Sequence, residues 1–126
     1  MAEKTKVLVV DDDRAMVRTV CDLLRLKGYA VEAAYTGEEA VEKVRSEPPD
    51  CVLLDMKMPG ISGVEALQRI REIVPAVPVL LISAYVTEEQ AAEARRLGAD
   101  GVLTKPVELQ EVFSFLEVLG RVMGRS

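Results

Sequence analysis

The chain has 126 residues, of which 49% are hydrophobic and 29% charged, the size and composition of one globular domain. Its 16 basic and 21 acidic residues give a net charge of −5, so it lacks the broad positive field that favours nucleic acid or anionic lipid. The absence of histidine excludes Ser-His-Asp and Cys-His nucleophile systems, His-ligated zinc and a role as a phosphohistidine donor.

The two cysteines, Cys21 and Cys51, lie far apart, each within an apolar stretch. We therefore expect buried free thiols rather than a disulfide scaffold or a Cys-rich metal site. The first residues carry charges without an apolar segment behind them, and the most apolar run, 73–86, is too short for a membrane span. These features predict a cytoplasmic protein.

In chain order, the first half of the sequence alternates apolar runs with helical patterns. Val7–Val10 is continuously apolar and rich in β-branched residues, which predicts a strand covered on both faces. The helix that follows is predicted by apolar residues at helical spacing: Met16, Val17, Val20, Leu23 and Leu24. Ala30–Ala34 predicts a weaker strand at a sheet edge, because Glu32 interrupts it. The next helix is predicted by Ala40, Val41 and Val44.

The second half repeats this alternation. Cys51–Leu54 and Val77–Ile82 predict two more fully covered strands. The helix between them is predicted by Val64, Leu67 and Ile70. A fourth helix is expected next, and the short run Gly101–Leu103 predicts the second edge strand. The last helix is predicted from about Glu108 to Leu119, with these residues inward: Leu109, Val112, Phe113 and Leu116.

Local signals at the ends of the helices support these boundaries. Three pairs have the spacing of a capping box at a helix start: Thr36 and Glu39, Ser62 and Glu65, Thr87 and Gln90. Gly28 and Gly98 follow predicted helices as stops. Five βα units in tandem predict an α/β fold, a doubly wound three-layer sandwich around a parallel sheet, as one domain over 1–126 with a core of about 5–120. Periodicity does not give the strand order.

Polar side chains gather where the predicted strands end, the edge at which such folds bind ligands. The first strand is followed by three acids, Asp11, Asp12 and Asp13, and the third by Asp55. The fourth is followed by Ser83 and the fifth by Lys105. Clustered acids raise one another's pKa unless a cation relieves them, and a hard divalent ion, Mg²⁺ best of all, suits such oxygens.

The charges of this cluster suit phosphoryl chemistry. The carboxylates of Asp11, Asp12 and Asp55, the Lys105 ammonium and one Mg²⁺ sum to zero, so the pocket can accept a phosphoryl group. A carboxylate is a competent nucleophile toward phosphorus once a metal neutralises and aligns the oxygens. Lys105 would pair with a second phosphoryl oxygen, and Ser83 would donate a hydrogen bond to a third.

Taken singly, each residue has a simpler interpretation. Asp13 is assigned as the N-cap of the helix that begins at Arg14. Asp55 alone is typical of a turn, since Asp-x-x-x-Pro-Gly is turn chemistry. Ser83 alone suits a strand-end hydroxyl bonded to backbone, and Lys105 alone a solvated surface charge. The prediction of a site depends on all of these residues lying at one edge of the sheet.

Four segments carry a family resemblance: Val7–Asp12, Leu54–Gly60 with Gly63 close behind, Leu81–Ala84 and Gly98–Pro106. Together they resemble the receiver domain of a two-component response regulator, in the CheY-like superfamily, over essentially the whole chain. The resemblance implies a flavodoxin-like fold with five helices and strand order 2-1-3-4-5. It also implies a cis peptide bond before Pro106.

The same resemblance implies individual roles. Asp55 would be the phosphoacceptor, and Mg²⁺ would be held by Asp11, Asp12, Asp55 and the backbone carbonyl of Lys57. Ser83 and Lys105 would keep the phosphoryl-binding roles described above.

Partners follow from the resemblance as well. The donor would be a histidine kinase or a phosphotransfer protein, and the changed surface would meet a target protein or a missing output domain. That surface would include the fourth helix, the fifth strand and the last helix. We expect no direct contact with nucleic acid or membrane, and a monomer or a phosphorylation-dependent dimer. The domain would modify only itself.

The sequence departs from the family pattern at the switch. Val102 stands where the family has an aromatic residue on the fifth strand, and a Val has no ring to swing between buried and exposed states. Val107 replaces an aromatic that commonly follows the proline. Tyr85, two residues past Ser83, is the aromatic next to the sensing hydroxyl, so we expect it to move with the loop or to shield the phosphoryl group; simple packing on the next helix is the alternative.

Two rival functions remain open at this point. Asp11-x-Asp13 imitates the first motif of haloacid-dehalogenase phosphatases, with Asp11 as nucleophile and Asp13 as acid/base. Ala15 stands where that motif has Thr or Val, and Asp55 would have no role. The other rival is a receiver-like binding module that works without phosphorylation. Three outcomes separate these functions. A receiver domain takes the phosphate on Asp55 and a phosphatase takes it on Asp11. A binding module keeps its function in Asp55→Asn.

Overall fold

Strands and helices alternate in the computed structural model, which describes residues 4–84 and 86–123. The strands are β1 (Lys6–Val10), β2 (Ala30–Ala34), β3 (Cys51–Asp55), β4 (Val79–Ser83) and β5 (Gly101–Thr104). The helices are α1 (Arg14–Leu26), α2 (Gly37–Ser46), α3 (Gly63–Ile73), α4 (Glu88–Arg96) and α5 (Leu109–Val122). Every predicted element is confirmed, although β4 starts two residues after the predicted Val77 and α5 continues three residues past Leu119.

The strands form one parallel sheet in the order β2-β1-β3-β4-β5. Val10 pairs with Leu54 across β1 and β3, and Ser83 pairs with Thr104 across β4 and β5. The order implied by the resemblance is therefore confirmed, with the two weak strands at the edges. Because all strands run in one direction, their carboxyl ends lie along one edge of the sheet.

Two apolar layers cover the two faces of the sheet. Side chains that alternate along β1, such as Leu8 and Val9, belong to different core clusters. One cluster packs α2, α3 and α4 on the sheet, and the other packs α1 and α5. This arrangement confirms the three-layer sandwich, and the free thiols of Cys21 and Cys51 are buried within it as predicted. No helix in the described parts of the chain has the length and apolarity to cross a membrane.

The helix starts use the capping residues that the sequence indicated. The Asp13 side chain accepts a hydrogen bond from the Met16 amide at 3.1 Å, as predicted. At Thr87 the bonds are reciprocal, since Gln90 accepts from the Thr87 amide at 3.1 Å. Thr36 and Ser62 also cap their helices, but there the second bond of the box is not made. The two acids that were predicted to form this second bond instead form ion pairs with a base one turn later. Glu39 pairs with Lys43 at 3.8 Å and Glu65 with Arg69 at 2.6 Å.

Basic side chains from two helices cover the free edge of β2. The Ala34 carbonyl bonds toward β1, so the carbonyls of Val31 and Ala33 face outward. Arg25 of α1 donates to the Val31 carbonyl at 3.4 Å, and Lys43 of α2 donates to the Ala33 carbonyl. An edge covered by cations is a poor template for an added strand.

Gly63 lies where α3 approaches the end of β3. A Cβ placed on Gly63 would stand 2.4 Å from the Asp55 carbonyl oxygen and 2.5 Å from the Met56 Cα. The Gly63 amide donates to the Met56 carbonyl at 3.0 Å. The absence of a side chain thus permits a close backbone contact that fixes the segment directly after Asp55.

We expect Gly63→Ala to lower the free energy of unfolding by about 1–3 kcal/mol, because the added methyl meets backbone that cannot turn away. Gly101→Ala is the matched control, since its Cβ would meet only the end of the Leu80 side chain, at 3.0 Å. Chemical denaturation of both variants measures the difference. Equal stabilities would contradict the tight contact between α3 and β3.

Candidate functional site

Three carboxylates converge at the carboxyl ends of β1 and β3. Asp11 directly follows β1 and is 1% exposed, Asp12 is exposed, and Asp55 ends β3 and is 3% exposed. One oxygen from each lies within 4.8 Å of the others. Because β1 and β3 are neighbouring parallel strands, residues 44 positions apart are brought together, as the sequence predicted.

Backbone contacts hold Asp11 in place. Its amide donates to the Ala34 carbonyl at 3.2 Å, and its Oδ1 accepts from the Asp13 amide at 3.0 Å. Its Oδ2 is buried and accepts no hydrogen bond of regular geometry from the described residues, although the Lys105 Nζ lies 2.8 Å away. A buried anionic oxygen with one cationic neighbour retains capacity for a second cation.

Asp55 is held at the end of β3 with its charge only partly compensated. The Lys57 amide donates to Asp55 Oδ1 at 3.4 Å. The amide of Met56, the residue directly after Asp55, donates to the Ile82 carbonyl at 2.9 Å. Burial, with the Asp11 charge added to it, raises the pKa of Asp55 from 3.8 to about 6, and Lys105 opposes this rise only in part. The carboxyl therefore titrates close to neutral pH when no metal is bound.

Lys105 follows β5 and reaches both buried acids. Its Nζ lies 2.8 Å from Asp11 Oδ2 and 3.6 Å from Asp55 Oδ2. Its amide donates to the Ser83 carbonyl at 2.8 Å, and its peptide bond to Pro106 is cis, as the resemblance implied. Partial burial acts to lower the pKa of Lys105, but the close contact with Asp11 and the charges of Asp11 and Asp55 outweigh it, so the pKa is raised. Lys105 is a cation at neutral pH.

Ser83 completes the set at this edge. It ends β4, is 1% exposed, and lies next in sequence to Ile82, the register partner of Asp55. The structure therefore brings Asp11, Asp12, Asp55, Ser83 and Lys105 to one edge of the sheet. Asp13 caps α1 instead of joining the cluster, as assigned from the sequence.

The remaining predicted residues have different outcomes. Lys57 is exposed in the segment after β3, where its amide donates to Asp55, and the metal-binding role of its carbonyl stays a prediction. Val102 lies in β5 opposite Leu81 and packs, partly buried, on the α2–α3–α4 side of the sheet. Val107 packs partly buried on the other side. Tyr85 lies outside the described residues.

One pair of residues at this edge was not predicted. The Arg14 guanidinium, at the first residue of α1, stacks over the Tyr35 ring with 4.0 Å between its Cζ and the ring centroid. Tyr35 directly follows β2, and the strand order sets β2 beside β1. The resemblance implied that order, but no sequence motif indicates that the Arg14 side chain turns to the Tyr35 ring.

Comparison with known proteins gives one consistent result. Residues 7–117 match the family described as the response regulator receiver domain. Response regulator MprA of Mycobacterium ulcerans (strain Agy99) is 35% identical over 116 residues, which are 92% of this chain and 50% of that protein. The chain thus spans about half the length of this relative.

Solved structures agree with the sequence match. A CheY-like response regulator receiver domain protein from Methanospirillum hungatei JF-1 has a TM-score of 0.89 and 28% identity, over 94% of this chain and 96% of that one. A response regulator from Burkholderia pseudomallei with a phosphorylated aspartic acid, a calcium ion and citrate has a TM-score of 0.82 and 26% identity, over 89% and 65%. The chain belongs to the response regulator receiver domains, the phosphoacceptor domains of two-component signal transduction.

Proposed function

We propose that Asp55 is the phosphoacceptor and that a phosphohistidine of a histidine kinase or phosphotransfer protein is the donor. The observation that carries this proposal is the convergence of the Asp11, Asp12 and Asp55 oxygens within 4.8 Å, with Lys105 3.6 Å from Asp55. The phosphorylated aspartic acid in the Burkholderia pseudomallei response regulator supports it.

The residues at the site fit a magnesium ion. Three carboxylates and one ammonium leave two negative charges, which a divalent cation cancels, and the buried Asp11 Oδ2 has no regular hydrogen bond among the described residues. Asp11, Asp12 and Asp55 would hold the ion together with the Lys57 carbonyl. When bound, Mg²⁺ neutralises phosphoryl oxygens and aligns them for displacement. The calcium ion in the Burkholderia pseudomallei structure supports a cation site in this family.

The chain's own residues supply the rest of the reaction. A carboxylate oxygen of ionised Asp55 attacks phosphorus, the P–N bond to the donor histidine breaks, and its electron pair leaves with the imidazole nitrogen. Lys105 turns from the two carboxylates toward one phosphoryl oxygen, and Ser83 donates a hydrogen bond to another. Water later hydrolyses the acyl phosphate, so the domain acts only on itself.

The signalling context is also part of this proposal. The domain works in the cytoplasm and presents a phosphorylation-dependent surface of α4, β5 and α5 to a target protein or an output domain. The relative is longer, since the 116 aligned residues are only 50% of it, and this supports an output domain. The domain would be a monomer or a phosphorylation-dependent dimer, without direct contact to nucleic acid or membrane.

The rival interpretations have less support. A haloacid-dehalogenase phosphatase needs Asp13 as an acid/base beside Asp11, but the Asp13 carboxylate accepts the Met16 amide at the start of α1. That interpretation also gives no role to Asp55, which lies in the same cluster. A module that never becomes phosphorylated would have no need for the costly approach of two buried carboxylates.

Incubation with acetyl phosphate and Mg²⁺ is expected to place an acyl phosphate on Asp55, detected by peptide mapping, and to give none in EDTA or in Asp55→Asn. Asp13→Asn is the matched control, because Asn caps a helix as well as Asp does. It should retain full phosphorylation. A label on Asp11 together with loss in Asp13→Asn would establish the phosphatase instead, and partner binding unaffected by Asp55→Asn would establish the unphosphorylated module.

The raised pKa of Asp55 predicts a pH-dependent stability in EDTA. Because the folded pKa is about 6 and the ordinary value is 3.8, the folded state binds the proton more tightly, and stability falls as pH rises from about 4 to about 6. Asp55→Asn lacks this charge, so at pH above about 6 it should unfold with a free energy about 1–3 kcal/mol above wild type. The gap should vanish below about pH 4.

Urea unfolding across this pH range measures the gap, with Asp22→Asn as the control at an exposed acid. Millimolar Mg²⁺ should stabilise the wild type and not Asp55→Asn, which would close or reverse the difference. A gap that does not change with pH would assign the effect to packing rather than to charge.

Tyr85 is proposed to support the switch. One charge-assisted hydrogen bond from Ser83 supplies about 1.5–3 kcal/mol, whereas a shift from 1:99 to 99:1 needs about 5.5 kcal/mol. Since Val102 provides no ring, we expect Tyr85→Ala to shorten the lifetime of the phosphoryl group or to weaken partner binding. A lifetime and an affinity both equal to wild type would rule Tyr85 out of the mechanism.

A further inference from the structure

We propose that Arg14 is a specificity-determining residue that attracts anionic phosphoryl donors to the site, an inference that rests on the proposed phosphorylation of Asp55. The guanidinium is held over the Tyr35 ring, with 4.0 Å from its Cζ to the ring centroid. Guanidinium groups stack on aromatic faces while their N–H donors stay available at the edge. The contact thus fixes a cation without neutralising it.

The charge of Arg14 is not compensated by a carboxylate, whereas the charges of most other described arginines are. Among the described residues, six arginines lie within 4 Å of a carboxylate: Arg25, Arg45, Arg69, Arg71, Arg96 and Arg121. No such pair is formed by Arg14 within the same part of the chain, although three acids directly precede it. Its guanidinium is directed to the aromatic ring instead.

The position of this cation relative to the acids follows from the fold. Arg14 is two residues from Asp12, so their Cα atoms are at most about 7.6 Å apart. Tyr35 follows β2, which lies two strands from β3, or about 10 Å. Lys105 comes from the opposite side, from β5 across β4. The acids therefore lie between a contacting cation, Lys105, and a more distant one, Arg14.

Because Arg14 forms no ion pair with a carboxylate within the described residues, it acts through its field rather than by contact. A dianionic donor meets three carboxylates, and a fixed cation at the rim raises its local concentration. The effect grows with the charge of the donor and is screened by salt, with a Debye length of about 10 Å at 0.1 M. Arg14 would therefore favour donors of higher negative charge.

The test compares acetyl phosphate, a dianion, with phosphoramidate, which carries one net negative charge. At low ionic strength, Arg14→Gln should lower the second-order rate constant for phosphorylation of Asp55 by acetyl phosphate about two- to fivefold and by phosphoramidate less, and the loss should disappear near 0.5 M salt. Arg18→Gln is the matched control, with the same charge change one turn along α1. It should have little effect. Tyr35→Leu keeps the charge but frees the guanidinium, so a smaller, equally salt-sensitive loss is expected.

Magnesium affinity, measured by calorimetry, separates this role from a change in the metal site. Loss of a nearby cation does not weaken Mg²⁺ binding, so Arg14→Gln should bind Mg²⁺ at least as tightly as wild type. A loss equal for both donors, independent of salt, or equal in Arg18→Gln would overturn the role of Arg14 alone. A wild type that takes no phosphate on Asp55 would instead overturn the proposed function.

Discussion

The structure is organised around a repulsion that the protein chain alone does not relieve. Asp11 and Asp55 are both buried at the ends of adjacent strands, and one ammonium, that of Lys105, serves both of them. At an effective dielectric near 20, two like charges about 4 Å apart repel by about 4 kcal/mol. The result is visible in Asp55, where burial and the Asp11 charge keep the pKa at about 6 in spite of Lys105. Three carboxylates and one ammonium give the site a net charge of −2, so it favours the binding of positive charge. One divalent cation makes it neutral. The proposed metal binding and the proposed acceptance of a phosphoryl group thus have one electrostatic cause.

Such a repulsion persists only where the backbone cannot move to relieve it. Directly beyond three of the strands, a backbone amide donates to a carbonyl of the neighbouring strand: Asp11 to Ala34, Met56 to Ile82 and Lys105 to Ser83. These bonds extend the sheet ladder to the functional residues themselves. Gly63 adds a contact from the helical layer, because α3 approaches the backbone of Asp55 too closely for any side chain. The carboxylates therefore sit on rigid strand ends, and the long Lys105 side chain would supply the movement that the proposed reaction needs.

Much of this arrangement was readable from the sequence, and the failures have physical reasons. Continuous apolar runs and helical spacing predicted the strands and four of the helices, because burial leaves a distinct period in the chain. The end signals at Thr87 and Gly98 marked α4, which buries only Ala94 among its described residues. Sheet order left no such trace and came only from the family resemblance; that order sets β2 beside β1, but no motif indicates that the Arg14 side chain turns to the Tyr35 ring. The spacing of a capping box was present at Glu39 and Glu65, but a base four residues later competes for the same carboxylate. The last helix was predicted to end at about Leu119, yet it continues through Gly120, which is buried within it.

The free energy that the switch requires can be supplied in two ways when β5 carries Val102 instead of an aromatic residue. One is to add a second interaction to the bond from Ser83, the role proposed for Tyr85. The other is a smaller difference in free energy between the two conformations. A shift of their populations from 1:9 to 9:1 is roughly 80-fold, or about 2.6 kcal/mol, within the range of one charge-assisted hydrogen bond.

A small free-energy difference requires an element that is displaced at a low cost in free energy. Within the described residues, α4 buries Ala94 alone, whereas α1, α2 and α3 each bury four residues. Weak burial lowers the free energy needed to displace a helix, so α4, which follows Ser83 in the chain, is the element on which a small bias has the largest effect.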